Sequence, residues 1–216
     1  MSYGEFDKYA ERYDSWYEKN QVIFECESKA IKALGLRGKG LSIGVGTGML
    51  DFSAPVNVGV DPSVNMLKRA KTRGIKPVRA IGEYLPFRNG SFDFVIMIAT
   101  LCFLISPEKA LQESRRIMRS RGELAICMIP KESSWGKKYI EKGEAGHTLY
   151  KYAHFYTINE AKDLLNEASF TITSVISTLG YSPCDKPRVE KPSENPKGKG
   201  FVCIKAVKSN DLKDPV

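Results

Sequence analysis

Between residues 39 and 130, short runs of β-branched and apolar residues alternate with stretches whose apolar positions recur at helical spacing. The pattern predicts strands over 41–43, 56–60, 77–81, 92–98 and 123–129. It predicts helices over 64–73 and 107–118, the second with Ala110, Leu111, Ile117 and Met118 at helical spacing. Residues 94–98 are apolar at every position, as in a strand covered on both sides. Strand–helix alternation of this kind predicts a parallel sheet with helices on both faces, a doubly wound α/β fold.

The flanks extend that reading. Residues 21–35 carry Val22, Ile23, Ala30, Ile31 and Leu34 and read as one helix ended by Gly35 and Gly38. The stretch 133–156 is polar and aromatic and carries no predicted element. Thr157, with Glu160 three residues on, forms the signature of a capping box for a helix to about Ala168. Two further strands are predicted over 170–178 and 201–207. The connector 181–200 holds Pro183, Pro187, Pro192 and Pro196 and reads as a flexible loop, either a lid or a long connection.

Composition narrows the class. With 216 residues, 42% hydrophobic and 27% charged, the chain fits one globular domain. The N-terminal twenty residues lack the apolar core of a signal peptide, and the longest apolar run, 92–105, is too short to span a bilayer. A cytoplasmic location is expected. The net charge of +8 gathers at 68–79 and 115–121, which read as solvated helix faces rather than a nucleic-acid surface. The five cysteines form no Cys-x-x-Cys pair and, with only His147 and His154 to join them, no metal site is expected. Most are expected as small core residues, without a disulfide framework.

The chemistry concentrates at the ends of predicted strands. Leu41-Ser42-Ile43-Gly44-Val45-Gly46-Thr47-Gly48 runs a strand into a glycine turn, read here as opening a helix. Bare backbone amides there can approach a ligand, and a helix N-terminus would add donors and a positive dipole end. The next strand ends in Gly59-Val60-Asp61-Pro62-Ser63, where the Asp61 carboxylate can accept hydrogen bonds from both hydroxyls of a ribose. Its competing role is to cap the helix that begins near Ser63. Gly82-Glu83 and Thr100 to Phe103 follow two further strands into the same crevice.

Together these segments resemble class I S-adenosylmethionine-dependent methyltransferases, especially the branch of the ubiquinone and menaquinone biosynthesis enzymes. Phe6-Asp7-x-x-Ala10-x-x-Tyr13-Asp14-x-Trp16 resembles that branch's N-terminal segment, which folds over the cofactor. Leu85-Pro86-Phe87, Ser91-Phe92-Asp93, and Glu113 to Arg116 followed by Arg121-Gly122 resemble further strings of the branch. The resemblance implies a Rossmann-like seven-stranded sheet, mostly parallel with an antiparallel last strand. It implies a cap over 1–38, a cofactor core over 39–130 and an acceptor side over 131–216. By position, Gly44, Gly46 and Gly48 would hold the methionine end of S-adenosylmethionine, and Tyr13 and Val45 would also belong to the cofactor site. Asp61 would take the ribose, Pro62 and Met66 would flank the adenine, Gly82 and Glu83 would lie along its edge, and Thr100 and Phe103 would border the methyl group.

Two positions depart from the pattern. Ser42 and Ile81 stand where the family usually has acids, the first toward the methionine ammonium and the second toward the adenine amino group. The sulfonium is an activated donor, so a catalytic base is optional and none is assigned. A small-molecule acceptor is expected, with Tyr9, Tyr13, Trp16, His147, Tyr150, His154 and Tyr156 as its candidate contacts. The strand-four motif of nucleic-acid amino methylases is absent. Two rival readings share the glycine turn and acid: an NAD(P)-dependent oxidoreductase, whose Gly-x-Gly-x-x-Gly would need glycine where Met49 stands, and a non-catalytic S-adenosylmethionine-binding protein.

Overall fold

The computed structural model describes residues 3–209. Its seven strands are β1 Gly40–Ile43, β2 Val56–Asp61, β3 Lys76–Arg79, β4 Phe92–Ile98, β5 Met118–Met128, β6 Phe170–Thr178 and β7 Phe201–Lys208. They form one sheet in the order β3-β2-β1-β4-β5-β7-β6. The pairs among β1 to β5 are parallel, and β7 runs antiparallel between β5 and β6. The seven-stranded α/β expectation is met, including its one reversed strand.

The helices are α1 Tyr3–Lys19, α2 Gln21–Ala33, α3 Val64–Thr72, α4 Pro107–Ile117, α5 Ser134–Glu144 and α6 Ile158–Glu167. Strand β4 shows how the sheet feeds two cores. Val95 and Met97 pack with Leu111 of α4 and Leu165 of α6, while Phe94, Ile96 and Ile98 pack with Ile31 of α2 and Tyr139 of α5. Side chains alternate across a strand, so a continuous apolar run is what two covered faces require. Each large side chain so buried is worth about 1.5–3 kcal/mol. Ser106 and Thr157 cap α4 and α6, the latter through the expected capping box.

Several expectations need correction. No α-helix follows the glycine turn; only a single 3-10 turn, Asp51–Ser53, precedes β2. Pro55 holds Ala54 in extended backbone, φ −129° and ψ 156°, and leaves no room for more. The helix-dipole contribution to anion binding therefore falls away. Strand β3 ends at Arg79, and Ile81 instead pairs with Tyr84 across a tight turn. Helix α5 lies inside the stretch left without an element. Ser133 caps it, and Gly136 is required where a Cβ would strike the Pro130 carbonyl.

The connector 181–200 is a long connection rather than a lid. Ser193 pairs with Ser177, Glu190 accepts from the Gly180 amide, and Cys26 of α2 exchanges hydrogen bonds with Arg188 and Glu190. Cys127 and Cys203, expected as separate core residues, face each other across β5 and β7 and form a disulfide. Among the described residues no group of acids, histidines and cysteines suits a metal, and no helix is long and apolar enough to cross a membrane.

Candidate functional site

The strand order places β1 beside both β2 and β4, and their C-terminal ends open a crevice at the point where the winding reverses. A cleft of about 190 Å³ occupies it. Gly44 has φ +67°, and a Cβ there would run into Thr100, whose hydroxyl donates to the Gly44 and Ile98 carbonyls. Gly46 has φ +53°, and a Cβ would meet only the Met66 sulfur at 4.0 Å. Backbone at Gly46 is thus bare to the cleft, the surface that a ligand's close approach requires. Ala99 holds φ 51° at the end of β4, a left-handed conformation costing about 1–2 kcal/mol for a non-glycine residue, and it too lines the cleft.

Asp61 sits at the end of β2. Its Oδ2 accepts from the Gly46 amide and its Oδ1 from the Ser63 amide, both at 2.9 Å. Helix α3 is capped by Ser63, whose hydroxyl accepts from the Met66 amide, so Asp61 is not the cap. Each carboxylate oxygen keeps a lone pair for a ligand hydroxyl. Burial raises the Asp61 carboxyl to about 6, with the two amides pulling the other way. It is ionised near neutral pH and acceptor-only, as a ribose diol needs.

Helix α1 roofs the cleft, and its sequence motif shows how. Asp7 accepts from the Ser63 hydroxyl and the Asn65 amide at the start of α3. These donors hold its carboxyl below the usual range. Ala10 is buried, and buried Asp14 pairs with Arg69 at 3.1 Å and Arg73 at 2.9 Å. Phe6 packs edge-on against Phe103 at 5.1 Å across the cleft mouth. Two cations of the 68–79 run are thereby spent inside the molecule. The run at 115–121 behaves alike. Arg116 pairs with Glu113 and donates to the Leu85 and Phe87 carbonyls, fixing the Leu-Pro-Phe loop, and Arg119 pairs with Asp93.

Of the expected cofactor residues, Tyr13, Gly44, Gly46, Asp61, Pro62, Met66, Gly82, Glu83, Thr100 and Phe103 line this one cleft. Val45 and Gly48 do not. Val45 packs with Leu67, Ala70 and Ile75, and Gly48 faces Ile75. Glu83 accepts from the Ile105 and Ser106 amides and so fixes the loop beside it. Ile81 lines the cleft as an apolar edge. Of the expected acceptor contacts, Tyr9, Tyr13, Trp16, Tyr150 and Tyr156 line the cleft. His147 stands behind Tyr150, ring centroids 4.5 Å apart, and His154 packs on Tyr156.

Two acids escaped the sequence reading. Asp51 lies next to Ser42, where an acid was expected, and burial raises its carboxyl to about 7 despite the Ser42 hydroxyl. Asp51 Oδ1 and Thr47 Oγ1 are buried without a hydrogen-bond partner among the described residues. The second, Glu27, lines the cleft and accepts from the Tyr17 hydroxyl at 3.1 Å. Its signal was its register, four residues after Ile23 and four before Ile31 on the buried face of α2.

This geometry suits an adenosyl ligand: a carboxylate for a diol, a glycine turn without side chains for close approach, and apolar walls at Pro62, Met66 and Ile81 for a flat base. It does not suit a nicotinamide dinucleotide in the usual manner, since the glycine turn opens no helix for a pyrophosphate.

A family model described as a methyltransferase domain matches residues 41–126. A crystal structure from Thermotoga maritima, described as a SAM-dependent methyltransferase and possible histamine N-methyltransferase, superposes with a TM-score of 0.90 at 32% identity. The match covers 96% of this chain and 100% of that one. An uncharacterised protein of Methanocaldococcus jannaschii is 37% identical over 94% of this chain and 98% of its own length. A demethylmenaquinone methyltransferase from a Mycobacterium species is 30% identical over 56% of each chain. With fold, glycine turn and strand-end acid in agreement, the chain belongs to the S-adenosylmethionine-dependent methyltransferases, and S-adenosylmethionine is its cofactor.

Proposed function

We propose that the enzyme methylates a small organic acceptor bound in the aromatic half of the same cleft that takes the cofactor. The observation that carries this reading is continuity. Gly46 and Asp61 at one end and Tyr139, Tyr150 and Phe155 at the other line a single space. Of the expected divisions 1–38, 39–130 and 131–216, the described residues 3–38 act as the roof, 39–130 hold the cofactor, and 131–209 supply the acceptor side. Asp61 holds the ribose, the Gly44–Gly46 backbone gives the methionine end a close-approach surface free of side chains, and Pro62 and Met66 enclose the adenine. Thr100 and Phe103 border the transferring methyl, and Tyr13 closes over it from α1. The bound sulfonium supplies an already activated methyl group.

What the chain adds is alignment in a space sheltered from water, which can be worth about 7–11 kcal/mol when reacting atoms are well placed. Burial pushes the Cys102 thiol up to about 12, so near neutral pH it stays protonated. Similarity to the demethylmenaquinone methyltransferase and the Leu85–Phe87 and Glu113–Arg116 strings support the ubiquinone and menaquinone branch as its relatives. Turnover of methyl-labelled S-adenosylmethionine against a panel of small metabolites tests the reading. Label should pass to at least one low-molecular-weight product, and transfer only to protein or nucleic acid would refute it.

A further inference from the structure

Beyond the cofactor-binding residues the cleft becomes a chamber walled by Tyr9, Tyr13, Tyr17, Tyr139, Tyr150 and Phe155. Glu27 lines it with only 5% of its surface exposed. Its carboxylate takes one hydrogen bond among the described residues, from the Tyr17 hydroxyl. The other two acids of the cleft are differently placed. Asp61 and Glu83 each accept two backbone amides. No lysine, arginine or histidine lines the cleft among the described residues, although the whole chain carries a net charge of +8. A buried carboxylate ordinarily has a cation or several donors around it. Glu27 has a single neutral donor, faces open volume and holds its proton to about pH 8 while no cation is bound; an ammonium beside it favours the ionised form.

The surrounding rings are matched to the same kind of ligand. Tyrosine faces attract a cation within about 6 Å of the ring centroid. Tyr139 lies 4.6 Å from Tyr150 and stacks parallel to Phe155 at 6.5 Å, and Tyr13 and Tyr17 meet edge-on at 5.4 Å. An anionic acceptor would meet Glu27 with no basic residue to offset it.

We propose that the acceptor is a small organic amine, bound as its ammonium, with Glu27 as its carboxylate partner and the tyrosine rings around its charge and carbon frame. One ammonium proton would pass to the Glu27 carboxylate, freeing the nitrogen lone pair for the methyl group, while the cofactor's sulfur would keep the electron pair of the carbon–sulfur bond that breaks. This rests on the methyl-transfer reading and deepens it by naming the acceptor's chemical class. The rival partner for Glu27 is the cofactor's own ammonium group.

The test uses the full chain saturated with S-adenosylhomocysteine and follows binding by calorimetry. The probes are 2-phenylethylammonium and n-pentylammonium against their matched alcohols, 2-phenylethanol and n-pentanol, with 3-phenylpropanoate as the anion. Each ammonium should bind at least about tenfold tighter than its alcohol, and the anion should bind more weakly than either. Glu27→Gln should erase most of that preference and leave S-adenosylhomocysteine affinity within about twofold, while Tyr17→Phe, which keeps the carboxylate, should retain it. Equal binding of ammonium and alcohol by the wild type overturns the proposal without any variant, as does preference for the anion. A Glu27→Gln variant that loses S-adenosylhomocysteine and ammonium together assigns the carboxylate to the cofactor and overturns it too. Failure of the wild type to bind S-adenosylhomocysteine would instead defeat the parent reading, and this one with it.

Discussion

Glu27→Gln should make the protein gain stability on the wild type as pH rises. Burial raises the folded-state carboxyl from 4.5 to about 8, opposed only by the Tyr17 hydroxyl. Between those values the unfolded chain has released the proton and the folded chain still holds it. The stability associated with Glu27 is therefore fully present below about pH 4.5 and lost as pH rises through about 8. At 1.36 kcal/mol per unit, the interval corresponds to about 3–5 kcal/mol, a large fraction of a domain's total. Glutamine keeps the shape and can still accept from Tyr17 but does not ionise.

Asp51 and Asp61 are raised in the same direction, to about 7 and about 6, yet both are present in wild type and variant and cancel in the difference. Tyr13, Tyr17 and Tyr139, which face Glu27, are all raised from 10.0 and stay neutral throughout. Urea denaturation of both proteins at several pH values between about 5 and 8, without cofactor or amine, measures the effect. The variant should move from near parity with the wild type to several kcal/mol more stable. A difference that does not change with pH would mean that water reaches Glu27 and that the chamber is not the dry space described.

Asp61→Ala should weaken S-adenosylhomocysteine binding by about 2–4 kcal/mol. In the wild type that affinity should fall about tenfold per pH unit below the raised carboxyl value of about 6; unchanged affinity in a folded variant would leave Asp61 a purely structural acceptor. Gly46→Ala and Gly48→Ala should separate binding from folding. The first, facing the cleft, should cost about 1–2 kcal/mol of stability and most of the cofactor affinity. The second, whose Cβ would lie 2.7 Å from Ile75, should lower the melting temperature while the folded fraction still binds. Asp14→Ala should free Arg69 and Arg73, loosen α1 and speed its proteolysis, with a stability loss of about 1–3 kcal/mol; an unchanged cleavage rate would show that packing alone holds the roof.

What the sequence made legible follows from locality. Strand β4 announced itself because both faces of it are covered, so no polar residue interrupts the run from Phe94 to Ile98. The glycine turn and Asp61 were legible because each lies within a few residues of a strand end. Helix α5 was obscured by Gly136 and Gly143, which lower helical propensity where close packing demands them. The absence of a helix after Gly48 turns on Pro55, whose restraint on Ala54 outweighs the glycine pattern. Asp51 beside Ser42, and Cys127 opposite Cys203, depend on register between distant segments, which no local pattern carries. Glu27 was hidden differently. A search for apolar periodicity passes over a carboxylate even when it stands on the apolar face.

The central claim is that the ends of β1 and β2 jointly hold the adenosyl half of the cofactor. A crystal structure of the protein with S-adenosylhomocysteine tests it most directly. Both ribose hydroxyls should lie within about 3 Å of the Asp61 oxygens, with the methionine end against the Gly44–Gly46 backbone. A ligand bound elsewhere, or a ribose held without Asp61, would contradict the account.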